Sequence, residues 1–589
     1  MRRLIVIGVV LLAGCGGGEV EKAADGAREQ LHRLFAEEWE NRLREDPLYA
    51  TSVGRHDYDD RLPAMGLADL ERRDAYAAEL LQRLDAIDRE ALPVADQVSY
   101  DVFRRQLVER REDFAFGAYQ MPLTVDSGFH TGFARLPAQM PFAGVADYRR
   151  YLARLSAWPR YVEEQIALME MGLERGFTLP RVVLEGYEVT ISSHVVEDPR
   201  ESVFFVPFTR FPATVPEDER PPLVAAAEAA IRDAVVPGYR RFLDFMVGRY
   251  VPGARRSLGA SELPDGAAYY AQRIRHFTTL DKSAEEIHRL GLDEVERIRG
   301  DMQAIIDGLG FAGDFAAFLD FLRRDPRFYA PTPEALLKEA AYLAKKMDGR
   351  LPSLFGHLPR QPYGVEPVPD DLAPKYTGGR YVPAPPGSRQ AGTYWVNTYA
   401  LDSRPLYVLP ALTLHEAVPG HHLQIALAQE LEDLPPFRRH DYISAFGEGW
   451  GLYAERLGLE AGFYDDPYSD FGRLTYEMWR ACRLVVDTGL HAFGWSRRQA
   501  MDFLAQNTAL SLHEVRTETD RYISWPGQAL AYKIGELEIR RLRRRAEEEL
   551  GARFDLRAFH DAVLANGSVP LPVLERQIER FIAEHRAAG

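Results

Sequence analysis

The chain has 589 residues, 46% of them hydrophobic, which suffices for a large core and by length alone for about two to four domains. A formal net charge of -16 and a pI near 5.5 argue against a nucleic-acid partner, and no Lys/Arg run offers electrostatic docking to a membrane. No repeat at a fixed period and no low-complexity tract interrupts the sequence.

Met1-Arg2-Arg3 is a positive leader, and Leu4 to Leu12 is an apolar stretch too short to span a bilayer as a stable helix. Leu12-Ala13-Gly14-Cys15 then has the form of a bacterial lipobox. The pattern predicts a lipoprotein signal peptide over 1–14, lipidation of Cys15, and a tether over 15–27 that is flexible from Gly16 to Ala24. It places the protein in the cell envelope on the periplasmic side of a membrane, the outer membrane in a Gram-negative host. Lipid on Cys15 supplies the membrane contact. Cys482, the only other cysteine, then has no intrachain partner even in an oxidising compartment, and its apolar helical surroundings predict burial.

Helical signals dominate the rest of the chain, and the expected class is mainly α. Tyr148, Tyr151, Leu152 and Leu155, then Val162, Ile166, Met169 and Leu173, keep 3.6-residue spacing until Gly176. Ser283 and Glu286 form a capping box before Ile287. Thr332-Pro333 reads as an N-cap with proline at the first helical position before Leu336 to Met347. These belong to an N-terminal helical region over 28–357. Residues 358–390 are rich in proline and glycine and predict a loop, lid or linker. A second helical region over 391–589, which holds the candidate site residues taken up next, completes the division.

That region opens with Ala391 to Thr398, the best strand candidate of the chain. An extended peptide can add to a strand edge through main-chain bonds, so Tyr394 and Asn397 are candidate substrate-binding residues.

Next comes Leu414-His415-Glu416-Ala417-Val418-Pro419-Gly420-His421-His422-Leu423-Gln424. In H-E-x-x-H, two histidines one turn apart bind zinc and the glutamate beside the first is a general base. Here His415 and Glu416 are present, but the position four after His415 is Pro419. Six residues of straight helix rise about 9 Å and turn to the wrong face. Pro419, however, cannot donate to the carbonyl of residue 415, and Gly420 can adopt angles closed to other residues. A bulged turn over 417–420 is therefore expected to return a histidine to His415. His421 is the preferred second ligand and His422 the alternative.

Downstream, Phe446 to Leu457 suits a mostly buried helix, and an unpaired carboxylate on a buried face is costly. Glu448 is the candidate third ligand, 27 residues after His421, with room for a helix, a turn and an antiparallel helix between them. Glu455, two turns further on, could orient a ligand histidine. His491, a turn after Asp487, is a candidate donor to a developing oxyanion, oriented by that carboxylate. Thr519 to Lys533 brings Arg521, Tyr522, Gln528 and Tyr532 together around a Pro-Gly break. Arg521 could bind a substrate carboxylate bidentately, with Gln528 beside it.

The segments HEAVPGHHLQ, FGEGWGLYAERL and RYISWPGQALAYKIG together resemble the bacterial domain-of-unknown-function family 885, over most of the mature chain. That family in turn resembles helical gluzincin metallopeptidases such as angiotensin-converting enzyme and carboxypeptidase Taq. The resemblance implies a large two-lobed helical fold with a deep cleft and a small β-sheet beside the metal helix. It matches His415 and His421 to the histidine ligands, Glu416 to the base and Glu448 to the third ligand. Tyr532 or Tyr522 would take the role of oxyanion donor. The expected protein is a zinc-dependent hydrolase of short peptides. The alternatives are a non-catalytic envelope lipoprotein with structural zinc or chaperone-like role, and a zinc hydrolase of another amide or ester.

Overall fold

Capping signals in the sequence mark the helix ends. The computed structural model of the protein describes residues 16–125, 127–370, 372–384 and 390–587, with side chains from residue 25 onward except Lys375. Signal peptide and lipidated Cys15 lie outside the described residues. The segment expected as a flexible tether belongs instead to a helix, α1 (Gly16–Glu45). α2 (Val94–Phe116) and α3 (Val145–Arg175) follow; α3 stops at Gly176, whose φ of 77° suits a residue without Cβ. α4 (Ala284–Gly308) carries the expected capping box, with Ser283 Oγ accepting from the Glu286 amide and the Glu286 carboxylate from that of Ser283. α5 (Pro333–Asp348) starts where Thr332 Oγ1 accepts from the Ala335 amide.

A three-stranded sheet comes next, and it corrects two expectations. β1 (Tyr363–Pro367) and β2 (Gly379–Val382) lie inside the Pro/Gly-rich segment expected to be loop. β3 (Gly392–Val396) is the anticipated strand, but it sits in the centre of the order β1-β3-β2, parallel to β1 and antiparallel to β2. The edges are β1 and β2, so β3 has no free edge to offer a peptide.

Helices then resume as α6 (Leu409–Glu416), α7 (His421–Gln429), α8 (Ser444–Glu460), α9 (Pro467–His491), α10 (Leu512–Ser524) and α11 (Ala531–Leu550). α9 packs along α4, and α8 along α11. The second crossing is set by glycine: a Cβ on Gly535 would lie 1.9 Å from the Ala445 carbonyl oxygen, and one on Gly449 would lie 2.5 Å from the Gly535 backbone. The helices therefore touch backbone to backbone.

One apolar cluster runs through both halves of the chain, from Leu62 to Ile582, with contacts such as Phe318 on Phe471 at 4.9 Å between ring centres. A smaller cluster of α1, α2 and residues 67–85 closes on Phe437. The fold is mainly α with a small sheet, and no helix among the described residues is long and apolar enough to cross a membrane.

Candidate metal centre

The helix that begins at Leu409 breaks before His421, as the proline and glycine require. Pro419 follows Val418 through a cis peptide bond, and the chain turns over 417–420 before α7 starts. The His422 amide reaches back five residues to the Ala417 carbonyl at 3.1 Å, a wider loop than the helical four. The Pro419 carbonyl, stranded by the turn, accepts from Trp450 Nε1 of α8 at 2.8 Å. Gly420 is needed for closeness rather than for unusual φ, which is -77°. A Cβ there would lie 1.9 Å from the His415 carbonyl oxygen.

This turn brings His421 back to His415, and α8 supplies the third group. Glu448 Oε2 is 3.5 Å from His415 Nε2 and 3.4 Å from His421 Nε2. The three donor atoms lie within 4.8 Å of one another. A tetrahedral zinc ion about 2.05 Å from each donor calls for donors about 3.4 Å apart, so the trio fits such an ion with little movement. Gly451 makes the space for this: a Cβ there would strike His415 Cε1 at 2.6 Å.

Electrostatics support the same trio. Burial opposes a charge on His415, yet hydrogen bonding to Glu448 and Glu455 and the Glu416 charge push its pKa up to about 9. Burial likewise works against the Glu448 carboxylate, but the two histidines hold its pKa well below the ordinary value. Glu455 accepts from His415 Nδ1 at 2.8 Å and is itself buried and paired with Arg480 at 3.4 Å. His415 thus points Nε2 at the centre. Glu416 is half-buried, and its Oε2 accepts from the backbone N–H of Tyr381 on β2 at 2.8 Å. His422 turns away: Nδ1 meets the Tyr381 hydroxyl at 2.9 Å, and burial lowers its pKa to about 4.

Tyr532 stands beside the trio, its ring nearly parallel to that of His415 with centroids 6.4 Å apart. The Arg483 guanidinium lies over the same tyrosine ring, 4.3 Å from its centre. The Gly449–Gly535 contact explains this placement, since it sets residues 448 and 532 on facing turns of α8 and α11.

Other candidates are not brought to the centre. Tyr522 is 1% exposed, and its hydroxyl accepts from Trp479 Nε1 and Arg483 Nε, both at 2.8 Å, so it positions Arg483 instead. His491 is fully buried: Nδ1 accepts from the Ala260 amide at 3.0 Å and Nε2 donates to the Tyr522 carbonyl at 2.9 Å. Burial drives its pKa down to about 3, so it is a neutral structural group. Asp487 does not orient it, but accepts from the Tyr270 hydroxyl and the Gly527 amide. Arg521 shares Glu518 with Arg483, at 3.4 and 2.9 Å. Gln528 is buried in a turn that packs on α9.

Tyr394 and Asn397 are both 0% exposed. The Tyr394 hydroxyl lies 3.4 Å from Thr413 Oγ1 on α6, and Asn397 Nδ2 donates to the carbonyls of Ala373, Tyr376 and Thr377. Neighbouring residues of a strand face opposite ways, and it is Thr393 and Trp395 that face outward. Trp395 and its partner across the ladder, Arg380, were not anticipated, nor was Tyr442. Tyr442 stands beside the trio, its ring centre 6.3 Å from that of His421, and is 43% exposed. Its position seven residues before Gly449 carried no signal beyond an aromatic near the metal helices.

Residues 47–578 match the family described as bacterial protein of unknown function (DUF885). Among solved structures, the putative lipoprotein from Colwellia psychrerythraea is 27% identical, with a TM-score of 0.88 over 95% of this chain and 99% of that one. A putative lipoprotein of unknown function from Shewanella oneidensis shares the fold at 18% identity and a TM-score of 0.70, again over 95% of this chain and 99% of that one. No curated protein matches the sequence.

Proposed function

This chain belongs to the bacterial DUF885 family, and we propose that it is a zinc-dependent hydrolase that cleaves short peptides. The observation that carries the reading is the convergence of His415 Nε2, His421 Nε2 and Glu448 Oε2 from α6, α7 and α8 beside a glutamate that is none of the three. A purely structural site has no need of that fourth group. The arrangement follows the helical gluzincin pattern, with an expanded first motif.

Zinc held by the trio would lower the pKa of a bound water toward about 7 and polarise a carbonyl. Glu416, anchored through one oxygen by the Tyr381 amide, has the other free to take a proton from water and pass it to a leaving amine. Tyr532 donates to the oxyanion as it forms. Glu455 keeps the His415 ring turned toward the metal, with its proton on Nδ1. The lipobox at Cys15, together with a relative named as a putative lipoprotein, supports a membrane-anchored enzyme acting in the envelope.

Metal analysis of the purified protein lacking its signal peptide, followed by a peptide-library digest, tests the reading. One zinc per chain is expected, with cleavage by the natural sequence and none by Glu416→Gln. Zinc without cleavage of any peptide would favour a structural site or a different amide or ester substrate. Failure to take up zinc would remove the site altogether.

A further inference from the structure

The face of the sheet that turns away from α6 carries a charge the hydrolytic machinery does not use. Arg380 lies on β2, directly before the residue whose backbone amide holds Glu416. Its side chain points opposite to Tyr381, whose hydroxyl packs inward on His422. Across the ladder it pairs with Trp395, and Tyr376 stacks edge-on against that indole with centroids 6.1 Å apart. The patch thus sets an arginine next to Trp395 on an edge strand beside the base.

Two features mark Arg380 as free to bind. It is exposed to solvent, and the next residue, Tyr381, holds Glu416 through its backbone amide at 2.8 Å, so Arg380 stands at the rim of the centre beside the base. Among the described residues no carboxylate forms an ion pair with it. Other arginines near the centre differ: Arg480 is paired with Glu455, while Arg483 and Arg521 share Glu518.

Charge counting gives the direction. A divalent ion is balanced by Glu416 and Glu448, and Glu455 offsets Arg480. Arg483 and Arg521 share the single carboxylate of Glu518, and Arg380 has no carboxylate partner among the described residues, so an anion is the group this side of the centre lacks. Planar guanidinium is suited to bidentate pairing with a carboxylate, and its pre-organised fork loses little freedom per hydrogen bond formed.

We propose that Arg380 receives a carboxylate of the substrate, so that the enzyme selects peptides bearing a negative charge close to the bond it cleaves. The carboxylate can come from a free peptide C-terminus or from an acidic side chain. This rests on the peptidase reading, and its test is a binding measurement so that the two can fail separately.

The zinc-loaded protein carrying Glu416→Gln is titrated calorimetrically with four short peptides. They are a neutral peptide with a free C-terminus, its C-terminal amide, an acidic amide and a basic amide. Carboxylate-bearing peptides are expected to bind about ten- to a hundredfold more tightly than the neutral amide, the usual worth of a charged hydrogen-bonded pair. Preference for the free C-terminus alone assigns an α-carboxylate, and preference for the acidic amide alone assigns a side chain. Adding Arg380→Gln should abolish the preference with zinc content unchanged, and Arg380→Lys should restore part of it. Equal binding of all four peptides, or no binding of any, overturns the proposal, as does a preference that survives Arg380→Gln. Carboxylate-selective binding by a protein whose Glu416-intact form cuts nothing would keep Arg380's role and reject hydrolysis.

Discussion

Glu455 Oε1 sits 2.8 Å from His415 Nδ1 while His415 Nε2 faces Glu448, so one imidazole is held between two carboxylates on a single helix. The spacing of seven residues puts both acids on one face of α8, two turns apart. One is placed to share a metal and the other to fix the ring that does.

Replacing Glu455 therefore acts on metal affinity without touching a ligand. Glu455→Gln should weaken zinc binding about ten- to a hundredfold, the usual effect of losing such a partner. Competition with a chromogenic chelator reads this directly. An unchanged affinity would mean that burial alone orients His415.

Gly420→Ala should cost the site more than the fold. The added methyl would meet the His415 carbonyl oxygen at 1.9 Å, so the 417–420 turn has to open and His421 moves off the trio. Zinc content should drop to background while far-ultraviolet circular dichroism still reports a helical protein. Retention of a full equivalent of zinc would count against the geometry of the turn.

The two tyrosines separate by their effects. Tyr532→Phe should reduce kcat by about a hundred- to a thousandfold, as loss of an oxyanion donor does, with zinc and melting temperature nearly unchanged. Tyr522→Phe removes the acceptor of two buried N–H groups and should destabilise by about 1–3 kcal/mol, with little effect on kcat. Equal loss of kcat in both variants would contradict the assignment.

Zinc binding should depend on pH through His415. In the metal-free protein its pKa is raised from 6.5 to about 9, so a proton occupies the ring up to that pH and zinc has to displace it. Apparent affinity should rise about tenfold per pH unit for this one proton and level off near pH 9. The metal-free protein has the opposite trend. A raised histidine pKa contributes stability that is complete below pH 6.5 and lost as pH climbs through about 9. Denaturant titrations of the metal-free chain over that range check the sign.

The centre was legible in the sequence because its cause is local. Pro419 and Gly420 occur together where a straight helix would carry the second histidine away, and chain distance alone allowed Glu448 to return on another helix. Capping at Ser283 and Thr332 was legible for the same reason. What failed depended on distant partners. Whether His491 or Tyr522 is free turns on the Ala260 amide and on Arg483, which no spacing reveals. On β3 the alternation is plain in the sequence, but which face meets α6 is not, and the outward residue is Trp395 rather than Tyr394. β2 lay hidden because proline and glycine around it masked a strand only four residues long.

The glycine contact between α8 and α11 has a consequence for how such a site tolerates change. Glu448 and Tyr532 are spaced by main-chain atoms meeting main-chain atoms, not by side chains that can be exchanged. Substitutions elsewhere along either helix can reshape the surroundings of the centre while the distance between the proposed metal ligand and the proposed oxyanion donor stays fixed. Selectivity can drift, and the catalytic ruler does not.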